Sequence, residues 1–332
     1  MDLAWIDPRQ PAPRDLAGAL SVLDAAHAVD APHRRFTTTR TAYQARLRHG
    51  GDGEPPQVAV AREAAGRVLG VLSIHLPGWD NTHLASVNVV VDPRQRRRGL
   101  GRRLFETAVD RAGSAGRRLV CASCYDPSAG MPFLKTMGLD PVLEEVFRRQ
   151  DLLALDWDRL DRMAEPARER AAGYELLRLP GPVPDPMLPA VARLTEAIND
   201  APTDGLDFED EVFSPARIRG YEQAQAAAGR RLYRVVARHR DTGALAGHTV
   251  VAVETEQPWQ AWQHDTSVLR EHRGHRLGLL LKIEMQRWLR ELEPQLRILD
   301  TDNAASNAHM IGVNQALGYQ VVARTVEWQR HL

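Results

Sequence analysis

The sequence predicts an α/β protein built from two copies of one domain with a mixed sheet. Two stretches, 89–104 and 266–281, repeat the same order of features at a separation of 177 positions. In each stretch a β-branched strand leads into a short polar turn with arginines and a glycine, and a long helical pattern follows. Strand and helix patterns alternate before and after each stretch, which is typical of an α/β domain with a mixed sheet.

The predicted elements of the two halves follow one another in the same order. Each half begins with a strand and a helix, continues with two strands and the repeated stretch, and ends with further strands and helices. The first half has predicted elements at 3–6, 15–28, 58–61, 68–75, 104–112, 118–123 and 146–152, and the second half at 174–179, 186–198, 232–239, 245–253, 279–292, 297–301 and 324–329.

A charged stretch, 156–172, separates the two halves. The spacing of Leu160, Met163 and Ala167 is helical, and Gly173 follows as a helix-ending residue. We therefore expect an N-terminal domain over 1–155, a connecting helix over 156–172 and a C-terminal domain over 173–332.

The charge balance and hydropathy of the chain exclude several functional classes. Lys plus Arg and Asp plus Glu number 43 each, and this zero net charge argues against a general polyanion binder and against recruitment to membranes. No run of 18 or more apolar residues occurs, and the first residues lack a basic start followed by an apolar stretch, so a cytoplasmic location is expected. Six arginines within 94–103 lack the interleaved aromatics of a nucleic-acid site, so no nucleic-acid partner is expected.

The only cysteines, Cys121 and Cys124, have a spacing that suits redox chemistry or half of a zinc site. No second pair of ligands lies nearby, and residues three apart on a strand face opposite sides. Structural thiols in a reducing compartment are the favoured interpretation, and no metal is expected.

The repeated turn has the layout of a diphosphate-binding loop. Glycines let the backbone approach a phosphate, and the first N–H groups and the dipole of a helix supply positive potential. The two candidate loops read Arg96-Arg97-Arg98-Gly99-Leu100-Gly101 and Arg273-Gly274-His275-Arg276-Leu277-Gly278. A single glycine-rich turn is weak evidence, but this one follows a strand, opens a helix and occurs twice.

At these residues the chain resembles the GNAT superfamily of acyl-CoA-dependent N-acyltransferases, whose loop reads Gln/Arg-x-x-Gly-x-Gly/Ala after a strand. The resemblance covers nearly the whole chain as two tandem copies, as in mycothiol synthase and related actinobacterial proteins. The first loop matches all three positions, whereas Arg276 replaces the first glycine of the second loop. The resemblance implies that acetyl-CoA binds at Val89, Val91, Arg96, Arg97, Arg98, Gly99, Leu100, Gly101 and Arg102 in the first half, and at Val268, Arg273, Gly274, His275, Arg276, Leu277, Gly278 and Asn307 in the second.

The resemblance also assigns residues to the thiol end of the reaction. The family tends to carry an Asn ahead of a Tyr that can protonate the departing thiolate. In the second half Asn307 keeps the Asn, and Asn314 occupies the Tyr position. Pro127 and Leu134 stand at the equivalent positions of the first half, so neither polar group is present there.

A carboxylate that helps the acceptor amine to lose its proton is also expected, because only a neutral amine attacks a thioester. Asp265, three residues before Val268 on the strand that leads to the loop, is the best candidate, and its counterpart Asn88 cannot accept a proton. A structural or substrate-orienting role for Asp265 stays open. Weaker alternatives are Glu254, Glu256, His248 and His264.

Further features have both a functional and a structural interpretation. The acidic segment 203–211 falls where this superfamily places a substrate loop, and it either attracts a cationic amine or is simply solvated. Trp259 and Trp262 either line a substrate pocket or pack against the sheet. His272 and His275 flank the second loop, where they touch phosphate or face solvent.

Together, these residues and the resemblance predict an N-acetyltransferase that moves an acetyl group from acetyl-CoA to a primary amine of a small molecule, as a monomer or homodimer. Catalysis is expected in the second half, which alone has Asp265 and Asn307. For the first half two roles stay open: it binds acetyl-CoA as a structural or regulatory ligand, or it is itself the active half. Two alternatives stay open. One is a non-catalytic acyl-CoA-binding or amine-sequestering protein, which the missing Tyr at Leu134 and Asn314 favours. The other is a mycothiol-synthase-like activity on a cysteinyl sugar amine.

Overall fold

The computed structural model describes residues 2–33 and 37–332. Both halves of the sequence fold as strand, two helices, three strands, helix, strand, helix and strand, so the predicted α/β repeat is confirmed. The first copy consists of β1 (Asp2–Trp5), α1 (Pro13–Asp30), α2 (Arg40–His49), β2 (Gln57–Arg62), β3 (Val68–His75), β4 (Leu84–Val91), α3 (Leu100–Ser114), β5 (Leu119–Asp126), α4 (Gly130–Thr136) and β6 (Asp140–Asp151). After the connecting helix α5 (Trp157–Arg170), the second copy consists of β7 (Tyr174–Pro180), α6 (Leu188–Glu196), α7 (Pro215–Ala227), β8 (Arg230–His239), β9 (Leu245–Glu254), β10 (Gln260–Val268), α8 (Leu277–Leu292), β11 (Ile298–Ala304), α9 (Ala308–Ala316) and β12 (Gln320–His331).

One helix in each copy, α2 and α7, is absent from the sequence-based prediction. Both helices begin at a residue whose side chain caps the first turn, because Thr39 accepts from the Ala42 N–H and Ser214 accepts from the Arg217 N–H. Helix α7 also buries charged residues, including Glu222, so its apolar periodicity is weak. The signals in the sequence for these two helices were the capping residues Thr39 and Ser214, and Pro215 at the first position of α7.

The first compact unit comprises residues up to 145, together with 203–210 and 323–332. Its strands lie in the order β1-β2-β3-β4-β5-β12, and among these described strands only β4 and β5 pair in parallel. Helix α3 packs on one face of these strands through residues such as Leu104 and Phe105. Helices α1 and α2 pack on the other face, around Leu16 and Tyr43.

The second compact unit comprises 146–202 and 211–322, and its strands lie in the order β6-β11-β10-β9-β8-β7. Strands β10 and β11 form the parallel pair, equivalent to β4 and β5. Helices α5 and α8 cover one face, where Leu281 and Trp288 are buried. Helix α6 contributes Val191 and Leu194 to separate apolar clusters. No helix within the described ranges is both long and apolar enough to cross a membrane.

The last strand of each copy lies in the compact unit of the other copy. Strand β12 pairs antiparallel with β5 from Arg324 opposite Asp126 to His331 opposite Leu119, and residues 146–151 of β6 belong to the second unit. The boundaries 1–155 and 173–332 follow the sequence repeat, so they do not coincide with these units. The physical reason is that a strand edge can be completed by any chain segment of suitable pattern.

The acidic segment is also divided between the units, since residues 203–210 pack within the first. The Asn81 amide exchanges two hydrogen bonds with the backbone of Glu209, at 2.8 and 3.1 Å. The ring of the buried His83 lies 2.9 Å from the Asp207 carbonyl oxygen. Hydrogen bonds therefore hold the backbone of segment 203–210, while nearly all of its residues stay exposed to solvent.

The strand exchange predicts that Trp328, although near the end of the second copy, stabilises the first unit. Trp328 is 4% exposed in the cluster beneath α3, whereas Trp288 is 5% exposed in the second unit. We expect Trp328→Ala to cost about 3 to 5 kcal/mol and to speed amide hydrogen exchange in β5. The matched variant Trp288→Ala should speed exchange in β8 instead. Faster exchange in β8 with unchanged exchange in β5 for Trp328→Ala would contradict the assignment.

Candidate functional site

In each copy, the two parallel strands separate after a short paired stretch. Strand β4 pairs with β5 only from Leu84 to Ser86, and β10 pairs with β11 only from Gln260 to Trp262. The rest of β4 and β10 continues to Val91 and Val268, and no strand in the described part of the chain pairs with it on that side. Separated strands leave backbone groups that a ligand can bind.

The two predicted diphosphate loops have the same backbone conformation, although their glycines are exchanged. In the first loop Arg97 and Gly99 have φ of 63° and 82°, and in the second Gly274 and Arg276 have φ of 86° and 58°. Each loop thus places one Gly and one Arg at the two left-handed positions, in opposite order. Arg276 therefore adopts the conformation that Gly99 has in the first loop, at the steric cost of a side chain in that region.

The first arginine of each loop braces the loop through its side chain. Arg96 Nε donates to the Val91 carbonyl at 3.2 Å, and its terminal nitrogens donate to both Asp30 oxygens at 2.8 and 2.5 Å. Arg273 Nε likewise donates to the Val268 carbonyl at 3.1 Å, and its guanidinium pairs with Asp200. The sequence predicted both arginines as cofactor ligands, but their guanidinium groups already fix the loop to the preceding strand and the first helical segment.

The remaining loop residues divide into buried anchors and exposed groups. Leu100 and Leu277 are buried at the starts of α3 and α8, and Val89, Val91 and Val268 are half-buried against the cores. Neither helix has a side-chain cap, so its first N–H groups are available to an anion. The exposed or half-exposed positions around these N–H groups are Arg97, Arg98, Gly101, Arg102, Gly274, His275, Arg276 and Gly278.

Asn307 and Asn314 have different surroundings at the two ends of α9. Asn307 caps the helix, since its Oδ1 accepts from the Met310 N–H at 3.1 Å. Asn314 is fully buried, with its Oδ1 accepting from Lys282 Nζ at 2.8 Å and its Nδ2 donating to Asn303 Oδ1 at 2.7 Å. Both ends of the Asn314 amide are therefore occupied, which favours a structural role over proton donation to a thiolate.

A β-bulge distinguishes β10 from its counterpart β4. Gln263 lies opposite Val251 and Thr266 lies opposite Thr249, so His264 and Asp265 together face one residue of β9. Strand β4 keeps a continuous register with β3, and Asn88 lies opposite Ser73. The bulge places Asp265 at the part of β10 that has separated from β11.

Asp265 lies in a group of ionisable side chains that are buried or half-buried. Burial raises the pKa of its carboxyl above the usual range, and the positive charge of Arg234 opposes that rise. Burial, and to a lesser degree the Asp265 charge, also raise the pKa of Asp302 on β11. Burial raises the pKa of Tyr221 on α7, again with a contribution from Asp265. A carboxyl with a raised pKa suits proton transfer near neutral pH.

Two histidines complete this group. Burial and the charges of Arg230 and Arg234 lower the pKa of His264 to about 3, so its ring is neutral. His248 is fully buried, and burial and Arg234 hold its pKa well below the usual range. Arg234 Nη1 donates to His248 Nδ1 at 2.7 Å. The sequence patterns did not single out Arg234, although an arginine within the apolar run of β8 was a visible anomaly.

The first unit has aliphatic residues at the positions equivalent to Arg234 and His248. By strand register these positions are Val58 on β2 and Val71 on β3. Both valines are buried among the side chains of α1 and α2. The two copies therefore share a backbone, but only the second carries a polar group on this face.

Several other candidate residues have structural partners. His272 Nδ1 lies 2.9 Å from Tyr174 Oη, His275 Nδ1 lies 3.0 Å from the Arg170 carbonyl oxygen, and Trp262 packs edge-on against Phe147. Glu254 pairs with Arg230 at 2.7 Å.

The two cysteines are free thiols. Burial raises the pKa of Cys121 to about 12 and that of Cys124 to about 11, so neither forms a reactive thiolate near neutral pH. Within 2–33 and 37–332, no group of three or more His, Cys, Asp or Glu side chains could hold a metal ion.

Lys282 predicts a pH-dependent stability. Burial lowers its pKa from 10.5 to about 7, so between these values the unfolded chain binds a proton that the folded chain lacks. The free energy of unfolding therefore rises with pH across this window, and the cost of the buried charge is fully present below pH 7. Lys282→Gln keeps a donor for Asn314 and removes that cost.

We expect Lys282→Gln to be more stable than the wild type at pH 6.5, with the difference falling by on the order of 3 kcal/mol by pH 9.5. Urea unfolding at both pH values measures this change. The exposed Lys135→Gln serves as the control and should show no such trend. A difference for Lys282→Gln that is constant with pH would contradict a depressed lysine pKa.

Comparison with known proteins shows what the chain is similar to. The model of the Acetyltransferase (GNAT) family matches residues 24–138. No curated protein sequence matches the chain. Among solved structures, a tandem GNAT protein from the clavulanic acid biosynthesis pathway is 29% identical, with 99% of this chain and 98% of that chain covered and a TM-score of 0.80.

Two further structures share the fold at lower identity. A GCN5-related N-acetyltransferase from Sphaerobacter thermophilus is 16% identical over 99% of this chain and 95% of that chain, with a TM-score of 0.69. A glucosamine N-acetyltransferase region of a fungal multidomain β-N-acetylglucosaminidase is 12% identical over 99% of this chain and 38% of that chain, with a TM-score of 0.68. The Acetyltransferase (GNAT) family model therefore matches the first copy, and over its full length the chain is similar to a tandem GNAT protein.

Proposed function

We propose that the second copy transfers an acetyl group from acetyl-CoA to the primary amine of a small molecule. The observation that carries this proposal is the position of Asp265, on a bulge at the separated part of β10 and within a buried polar group that the first copy lacks. The clavulanic acid pathway named for the similar tandem GNAT protein supports a small-molecule acceptor.

In the proposed complex, acetyl-CoA lies between β10 and β11. Its diphosphate accepts hydrogen bonds from the backbone at the start of α8, within the loop that Arg273 braces. Asn307 contributes its side-chain nitrogen to the amide groups of the cofactor, since its oxygen is already used to cap α9. Backbone N–H groups at the bulge polarise the thioester carbonyl as negative charge develops on its oxygen.

Asp265 accepts the proton of the acceptor amine, directly or through water. Because burial raises the pKa of its carboxyl, it is a stronger base than a solvated aspartate. The neutral amine then attacks the thioester carbon, the C–S bond breaks to release CoA as its thiolate, and the second amine proton passes to that thiolate or to solvent. An alkyl thiol has a pKa of about 8.5, so it leaves as a thiolate without requiring a proton from Asn314.

The first copy is proposed to bind acyl-CoA without catalysis. Its loop has the same backbone conformation and the same Arg–Asp brace as the second loop. The positions equivalent to the polar group are Val58 and Val71, and Asn88 cannot act as a base. In this assignment the first copy is a non-catalytic acyl-CoA site, and only the second copy is an enzyme.

The proposed role of Asp265 predicts a loss of activity on removal of its charge. We expect Asp265→Asn to lower kcat/KM for amine-dependent thiol release from acetyl-CoA by about 10²- to 10⁴-fold, because the amide cannot accept the proton. Free-thiol detection over a panel of primary amines measures the rate. Glu256→Gln, which removes an exposed carboxylate from the turn before β10, should leave the rate unchanged. Full activity of Asp265→Asn would exclude Asp265 as the base.

A further inference from the structure

Arg234 is a buried cation without a carboxylate partner. It lies on β8 with 4% of its surface exposed. Its hydrogen bond goes to the neutral ring of His248, and within the described ranges no carboxylate lies at ion-pair distance from its guanidinium. Burial lowers the pKa of Arg234, but a guanidinium stays charged near neutral pH.

Two other arginines of the second unit, the half-buried Arg149 and the buried Arg217, have carboxylate partners. Arg149 binds both oxygens of Asp300 at 2.7 Å, and Arg217 pairs with Glu211 at 3.0 Å. Burial of an unpaired charge costs free energy, and a bound anion would offset that cost. Asp265 and Glu222 act on Arg234 electrostatically but do not form an ion pair with it.

The polar atoms around Arg234 also lack partners. Since arginine only donates, His248 Nδ1 accepts its hydrogen bond and the hydrogen of the neutral ring lies on Nε2. That Nε2 is buried without a hydrogen-bond partner, and so are His264 Nε2 and Tyr221 Oη. Arg234 and Tyr221 both interact electrostatically with the candidate base Asp265, and His264 precedes it on β10.

We propose that Arg234 binds a carboxylate on the acceptor molecule, so that the second copy acetylates amines that carry a carboxylate, such as amino acids. This inference rests on the proposed function of the second copy. The acceptor amine lies at Asp265 and its carboxylate at Arg234, with His248 Nε2 or Tyr221 as an additional donor. The charges of such a zwitterion complement those of the two protein groups.

The charge count favours a carboxylate over a phosphate. One guanidinium and neutral donors balance a single negative charge. Asp265 and Glu222 lie near enough to Arg234 to affect its ionisation, and their negative charges would repel a dianion more strongly than a monoanion. A monoanion paired with a nearby ammonium leaves the site close to neutral.

The test compares each of several L-amino acids with its own carboxamide as acceptors. Thiol release from acetyl-CoA is measured for the wild type, Arg234→Met and Arg234→Lys. We expect the wild type to prefer at least one amino acid over its amide by about 10-fold or more in kcat/KM, because the amide leaves the guanidinium unpaired. Arg234→Met should abolish this preference, and Arg234→Lys should retain part of it.

A stability measurement shows whether Arg234→Met folds. Removal of an unpaired buried charge should leave the ligand-free Tm unchanged or raise it. The matched variant Arg149→Met should lower Tm, since it leaves Asp300 buried without its partner. Equal losses of Tm in the two variants would contradict the unpaired state of Arg234.

The outcomes separate this inference from the proposed function. Thiol release with equal use of acids and amides, or a preference for acids that survives in Arg234→Met, overturns the carboxylate site and leaves the acetyltransferase intact. If no amine releases thiol, the proposed function fails. Binding of amino acids then tests whether Arg234 holds a carboxylate. An increase in Tm by amino acids with CoA present, in the wild type but not in Arg234→Met, then supports the site, and its absence overturns it.

Discussion

The separation of two parallel strands is the constraint on which the candidate site depends. In each copy the strands pair over three residues and then part, while the first strand continues into the loop that opens a helix. The open edges supply backbone groups for a cofactor, and the loop supplies helix N–H groups for its diphosphate. In the second copy the same stretch contains the bulge that presents Asp265, so cofactor binding and chemistry share one backbone feature.

The two copies keep this backbone and differ in the side chains that use it. Both loops have the same pair of left-handed residues, with Arg and Gly exchanged between the positions, and both are braced by an arginine and an aspartate. The side chains on one face of the sheet differ between the copies. In the first copy Val58 and Val71 form part of an aliphatic core, whereas in the second copy Arg234 and His248 stand at the same positions and form a polar pair. A buried polar group costs stability, so its presence in one copy alone is best explained by function.

Much of this arrangement was predictable from the sequence, for identifiable reasons. The repeat and the loops were predicted because glycines, arginines and strand patterns recur at a fixed separation, and these are local signals. The bracing role of Arg96 was not predicted, because its partner Asp30 lies far from it in the sequence. The exchange of β6 and β12 also lacked a signal, because alternating strands of similar pattern fit either sheet edge. Helix α7 was missed because it buries polar residues such as Glu222.

The most direct test of the central claim is a crystal structure of the chain with CoA bound. The account predicts CoA in the second unit, with its diphosphate on the backbone N–H groups at the start of α8 and its sulfur between β10 and β11, beside Asp265. CoA found solely at the first loop, with its sulfur between β4 and β5, would contradict the assignment of catalysis to the second copy.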